Sequence, residues 1–166
     1  VLRSNFDASL EEMTNTIGKP IEGVEARICA TDSYQDLGEG KIGELQLRFD
    51  WPFSGYLNDE FATKTIFTHD QFLKTGDLCM RRKDGNYEFI DRINNTFKSG
   101  GHTIYPTEIE TVILEHPDVS MAAIVAVEDE KFGKIGFGFL TAKDDATIDC
   151  SEIYAWLKKE LANYKV

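Results

Sequence analysis

Lys98-Ser99-Gly100-Gly101-His102-Thr103-Ile104-Tyr105-Pro106-Thr107-Glu108-Ile109-Glu110 holds more structural instruction than any other run of this chain. Two adjacent glycines let the backbone take positive φ and let a ligand approach it closely. Pro106 suits the first turn of a helix, where the N–H that it lacks would go unsatisfied anyway. Ile109, Val112 and Ile113 then recur at helical spacing, with Glu108 and Glu110 near the start, where the helix dipole favours negative charge. The stretch predicts a mobile glycine loop, a short strand and an amphipathic helix. Taken alone it is also the wording of an ordinary strand-to-helix turn.

Outward from it, strand signals dominate upstream. Asp84-Gly85 predicts a hairpin turn between two β-prone runs, the second of which is Tyr87 to Ile90. Residues 42–49 alternate, placing Leu45, Leu47 and Phe49 on one face and Glu44, Gln46 and Arg48 on the other, as a half-buried strand does. The Gly- and Pro-punctuated run from Thr16 to Val24 leads into a strand around Glu25 to Ala30, and residues 31–41 read as turns. Ser9-Leu10-Glu11-Glu12 reads equally as a helical turn or as a connector. Downstream, Val119 to Val127 and Gly136 to Ala142 read as buried strands joined by a polar turn, Glu128 to Lys134. Ser151 is the expected N-cap of a last helix carrying Ile153, Leu157 and Leu161.

The 166 residues carry a net charge of −11, which argues against nucleic acid and anionic membrane surfaces as partners. Hydrophobic residues at 42% and charged residues at 28% describe a globular chain. Cys29, Cys79 and Cys150 are widely spaced, and His69, His102 and His116 form no ligand pattern with them, so no metal site is expected. Buried, reduced thiols are expected, and with no apolar run long enough to span a bilayer and no signal peptide they point to a cytoplasmic protein. The chain begins at Val1 rather than methionine, and a piece of a longer protein is expected.

Several ordered phrases together resemble the adenylate-forming, or AMP-binding, superfamily of acyl-CoA synthetases, peptide-synthetase adenylation domains and luciferases. They are Thr16-Ile17-Gly18-Lys19-Pro20, Gly43-Glu44-Leu45, Ser54-Gly55-Tyr56, Lys74-Thr75-Gly76-Asp77-Leu78, Asp91-Arg92 and Lys98-Ser99-Gly100-Gly101. The resemblance runs from Thr16 to the end. It implies a mixed α+β fold: residues 1–90 as the distorted, β-rich barrel-like end of a large AMP-binding domain, and 91–166 as a small α+β lid with a short sheet and two helices. Asp77 would accept the ribose hydroxyls of ATP, a task suited to an acceptor-only carboxylate, although a turn aspartate bonding local N–H groups is the other reading. Arg92 would contact ribose or phosphate. Asp91 would be the hinge on which the lid rotates between two half-reactions. The loop Lys98, Ser99, Gly100, Gly101 would line the pantetheine tunnel in thioester formation.

The wording Asp91-Arg92, Ser99-Gly100-Gly101 and Tyr105-Pro106 resembles the acyl-CoA synthetase branch. This implies ATP, AMP, Mg2+ and CoA as the small-molecule partners and a carboxylic acid as substrate. A carrier-protein-loading adenylation enzyme and a non-catalytic nucleotide- or protein-binding module are the alternatives. The superfamily's adenylation lysine lies beyond Val166, and Lys165 does not match it, so no catalytic residue is assigned and the 166 residues alone are expected to be silent. Departures from the family's wording are Phe49, Trp51-Pro52, Glu60, Asn95 and Lys134, and a rebuilt turn is expected between Phe49 and Glu60.

Overall fold

A chain punctuated this often by glycine builds short strands more readily than long helices. The computed structural model, which describes residues 1–50, 54–144 and 146–166, is mixed α+β, with ten strands and four α-helices among those residues. It divides into two compact units, 1–93 and 94–166, each with a core of its own. No helix of the described residues is long and apolar enough to cross a membrane.

In the first unit, β1 (Leu2–Arg3) pairs antiparallel with β2 (Lys19–Pro20). Between them lies α1 (Leu10–Asn15), so the helical reading of Ser9 to Glu12 holds. The Ser9 hydroxyl accepts the Glu12 N–H at 3.2 Å while the Glu12 carboxylate accepts the Ser9 N–H at 2.8 Å, a reciprocal capping box. An antiparallel sheet follows in the order β3 (Val24–Cys29), β4 (Ile42–Phe49), β5 (Leu73–Arg81), β6 (Tyr87–Arg92). The β5–β6 hairpin turns at Asp84-Gly85, with Gly85 at φ 84°. Among the described residues this sheet is open, and no closed barrel forms. A helix, α2 (Glu60–Ile66), is capped by Asp59, which accepts the Ala62 N–H at 2.8 Å. Glu60 is thus a first-turn residue; of the rebuilt turn, Trp51 and Pro52 lie outside the described residues.

β4 corrects the sequence reading. Its polar face is as buried as its apolar one, with Gln46 1% and Glu44 9% exposed. The cover is long-range: the Arg27 guanidinium lies 3.8 Å from the ring centre of Phe72 and bridges Gln46 to Asp70. Alternation reports two faces but not what packs on the second.

The second unit opens with the hairpin β7 (Phe97–Ser99) and β8 (His102–Ile104), then α3 (Pro106–Leu114). A second hairpin, β9 (Val119–Asp129) and β10 (Gly133–Ala142), precedes α4 (Cys150–Glu160). Phe97, Ile104, Ile109, Ile113, Val119, Ile153 and Leu157 form its core. β9 and β10 are not the buried strands expected. Ala122, Ile124 and Leu140 face the core, whereas Met121, Val125, Phe137 and Phe139 on the alternate face are exposed. The strands also run on into the expected polar turn, leaving Glu130 to Phe132 as the connection. A second correction concerns α4. Its N-cap is Asp149, whose carboxylate accepts the Ser151 N–H at 2.7 Å, so Ser151 is already inside the helix.

Candidate functional site

The first unit gathers three of the singled-out residues at the end of the β5–β6 ladder farthest from its turn, where β6 finishes. Across the β4–β5 ladder Glu44 faces Leu78 and Gln46 faces Lys74, so Thr75, Gly76 and Asp77 together stand opposite Leu45 alone. Such a bulge bends a strand and re-aims its side chains. Here it is pinned on three sides. The Thr75 hydroxyl donates to the Leu45 carbonyl at 2.7 Å and accepts the Asp77 N–H at 3.1 Å; Gly76, at φ 72°, donates its N–H to the Glu44 carboxylate at 3.3 Å.

Asp77 then pairs in register with Arg92 on β6, and the guanidinium Nη1 donates to Asp77 Oδ1 at 2.5 Å. The Asp77 and Arg92 side chains are 26% and 57% exposed, so the pair faces solvent. An exposed pair of this kind contributes only about 0–1 kcal/mol to stability; its importance is in placement. It sets an acceptor-only carboxylate beside a planar fork of donors, the complement of a diol next to an anion. Asp91 differs from its neighbour. It is fully buried, and its Oδ1 accepts the Arg92 N–H at 2.7 Å.

Behind the bulge runs a polar row that sequence reasoning placed toward solvent. Arg27 grips Asp70 with two bonds of 2.6 and 3.1 Å and donates Nε–H to Gln46 Oε1 at 3.0 Å. The Gln46 amide donates to Glu44 Oε2 at 3.0 Å, which leads back to Gly76. The Arg27 guanidinium and the Thr68 hydroxyl hold the Asp70 carboxyl well below the usual carboxylate range. A signal existed in the sequence: Glu25 and Arg27 alternate as Glu44, Gln46 and Arg48 do, so antiparallel pairing stacks two polar faces.

The remaining singled-out residues lie on the second unit. Lys98 and Ser99 end β7, and Gly100 and Gly101, at φ 53° and 87°, make the two-residue turn to His102. Both turn positions need positive φ, the condition under which glycine outperforms every other residue. The two glycines differ in surroundings. Gly100 donates its N–H to the Phe132 carbonyl at 3.0 Å, and a Cβ there would meet the Phe132 ring at 3.1 Å; a Cβ on Gly101 would meet nothing within 4 Å. His102 stacks on Tyr164 at 4.4 Å, and the Lys165 ammonium bonds both Glu108 oxygens at 2.5 and 2.7 Å. Ser99 and Gly100 also border a mostly apolar cleft of about 730 Å³ lined by Ile104, Ile109, Leu140 and Ile153.

Residues 108–166 match the family described as the AMP-binding enzyme C-terminal domain. The chain is 34% identical to the 2-succinylbenzoate–CoA ligase of Bacillus licheniformis, over 93% of the chain and 31% of that protein. It is 32% identical to the 4-coumarate–CoA ligase-like 2 protein of Arabidopsis thaliana, over 99% of the chain and 29% of that protein. Among solved structures it is similar to ATP-bound MatB from Rhodopseudomonas palustris, with a TM-score of 0.85 and 30% identity over 91% of the chain and 30% of MatB. It is likewise similar to o-succinylbenzoate CoA synthetase (MenE) from Bacillus subtilis in complex with the acyl-adenylate intermediate OSB-AMP, at 0.86 and 31% over 94% of the chain and 32% of MenE. The chain therefore spans about a third of the length of these relatives.

Proposed function

Because the chain belongs to the AMP-binding, adenylate-forming superfamily, we propose that it is the lid-bearing part of an ATP-dependent ligase that joins a carboxylic acid to CoA. In the first half-reaction a carboxylate oxygen of the acid attacks the α-phosphorus of ATP, and pyrophosphate leaves. In the second the CoA sulfur attacks the acyl carbonyl, its proton is lost to solvent, and AMP leaves. CoA ligases among the relatives, and solved neighbours bound to ATP and to an acyl-adenylate, support this reading.

The observation that carries it is the pairing of Asp77 with Arg92 on a pinned bulge. Asp77 accepts the ribose hydroxyls, and the Arg92 fork donates to the ribose or to a phosphate. Asp91 is the pivot, two residues before the first unit ends. The loop Lys98, Ser99, Gly100, Gly101 serves the thioester step, and the open space at Gly101 suits a passing pantetheine arm. Residues 1–90 then close the large domain as part of a barrel-like subdomain, and 91–166 form the lid. Mg2+ would arrive with the nucleotide phosphates; among the described residues no His, Cys, Asp and Glu cluster is arranged for a metal ion. Lys165 is committed to Glu108 and is given no catalytic role; the 166 residues alone are expected to be inactive.

In the full-length protein, Gly101→Leu should spare acid-dependent pyrophosphate exchange and lower thioester formation on the order of a hundredfold, the cost of a misplaced reacting group. Gly101→Asn, which tolerates the left-handed backbone, should fall between. An equal loss of both half-reactions would refute the tunnel role of the loop.

A further inference from the structure

The buried polar row on β4 demands an explanation, because buried polar groups are costly unless every partner is met, and this row is met end to end. One end is anchored where Arg27 holds Asp70 and lies over Phe72. The other end is a backbone group: the Gly76 N–H, one residue before Asp77, held by Glu44 Oε1. Between them the sense of each bond is fixed. A guanidinium only donates, so Gln46 must turn its oxygen to Arg27 and its amide NH2 to Glu44. Glu44 must then accept twice, from Gln46 and from Gly76, and an ionised carboxylate is the side chain built to do so.

From this geometry we infer that Glu44 is a positioning residue for the ribose contact of Asp77, transmitting the Arg27–Gln46 anchor to the Gly76 backbone. The inference rests on the assignment of Asp77 to the nucleotide. All three bonds that pin the bulge run within the β4–β5 pair, but only that of Glu44 ties it to the anchored row. Without that tie the bulge keeps its ladder neighbours but loses the contact that sets the direction of its apex. Asp77 remains chemically intact and is aimed less well.

The donor order supplies a sharp test. Glu44→Gln alone brings two donors together: the new NH2 must face either the Gln46 NH2 or the Gly76 N–H. Combining Glu44→Gln with Gln46→Glu restores every match. The carboxylate then at position 46 accepts from Arg27 and from the amide at position 44, whose oxygen accepts from Gly76. The swap also keeps the net charge of the row. The readout is the ratio of affinities of the full-length protein for AMP and for 2′,3′-dideoxy-AMP, measured by calorimetry. Adenine and phosphate are common to both probes, so the ratio isolates the hydroxyl contacts, and a general loss of folded protein leaves it unchanged.

Wild type should prefer AMP by at least about tenfold, and Asp77→Ala should abolish the preference. Glu44→Gln should cut it roughly five- to tenfold, the net worth of one ordinary hydrogen bond, and the double swap should return it to within about twofold. A ratio lost in Asp77→Ala but unchanged in Glu44→Gln overturns the role of Glu44 and leaves that of Asp77 standing. A ratio lost in Glu44→Gln and not restored by the swap overturns it too. Retention of the preference in Asp77→Ala overturns the nucleotide assignment, and the positioning role with it.

Discussion

Cys79 shows how far one side chain's chemistry is set by its surroundings. Burial in the core of the first unit, with the Asp77 carboxylate nearby, pushes its thiol up to about 12. At about pH 8 such a group carries roughly one part in ten thousand thiolate, and the thiolate is the reactive form. Cys29 is also buried and raised, whereas Cys150 is exposed at the start of α4. Of these three thiols only Cys150 should react with a disulfide reagent within minutes in the native protein, and Cys29 and Cys79 only on unfolding; fast labelling of Cys29 or Cys79 would contradict the burial. Asp70 titrates in the opposite sense. Its folded value lies below its unfolded one, so its contribution is complete above the ordinary aspartate value of about 3.9 and is lost as pH falls through the lower folded value. Asp70→Asn should therefore lower Tm at neutral pH, with a gap to wild type that shrinks on acidification below about pH 4. A gap independent of pH would mean that the Arg27–Asp70 pair does not act through charge. The burial of Cys79 is the ordinary expectation for a reduced thiol, whereas the state of Asp70 was not legible, since Arg27 stands 43 residues away along the chain.

Most elements with local causes were read correctly, and the burial that depends on distant partners was not. Asp84-Gly85 made its hairpin and Pro106 opened α3, because turn and N1 chemistry act within a few residues. The start of α4 slipped by two residues because Asp149 and Ser151 are both good caps, and only the backbone decides between them. Asp149→Ala should accordingly cost about 1 kcal/mol in urea denaturation and Ser151→Ala only a few tenths; the reverse order would restore Ser151 as the cap. Apolar runs alone mark β9 and β10 as strands, but burial needs a cover on each face, which the alternation of Met121, Val125, Phe137 and Phe139 does not announce. Gly43 on β4 illustrates a packing demand of the same hidden kind. A Cβ there would stand 2.4 Å from the Cys29 carbonyl oxygen, so Gly43→Ala must push β3 and β4 apart. It should cost about 1–3 kcal/mol, the range for overpacking, and a neutral result would show that the strands yield freely.

At the scale of the molecule, the order of phrases along the chain made the family legible, whereas the pairing of its residues needed the fold. Resemblance singled out Asp77 and Arg92 separately, 15 residues apart; the β5–β6 register is what sets them face to face. Resemblance touched the row behind them only through Gly43-Glu44-Leu45 and gave no hint of its bonds, because Glu44 and Gln46 read as solvent-facing until Arg27, Asp70 and Phe72 are folded over them. The net charge of −11 is compatible with a nucleotide ligand for the same local reason, since Arg92 supplies donors where they are needed whatever the sum. The most direct measurement is acid-dependent exchange of labelled pyrophosphate into ATP by the full-length protein, across a panel of aliphatic and aromatic carboxylic acids, with Asp77→Ala alongside. A ligase of this family should exchange label only when a matching acid is present, and the variant should lose at least about tenfold of that rate. No exchange with any acid, or equal exchange by the Asp77→Ala variant, would contradict the assignment.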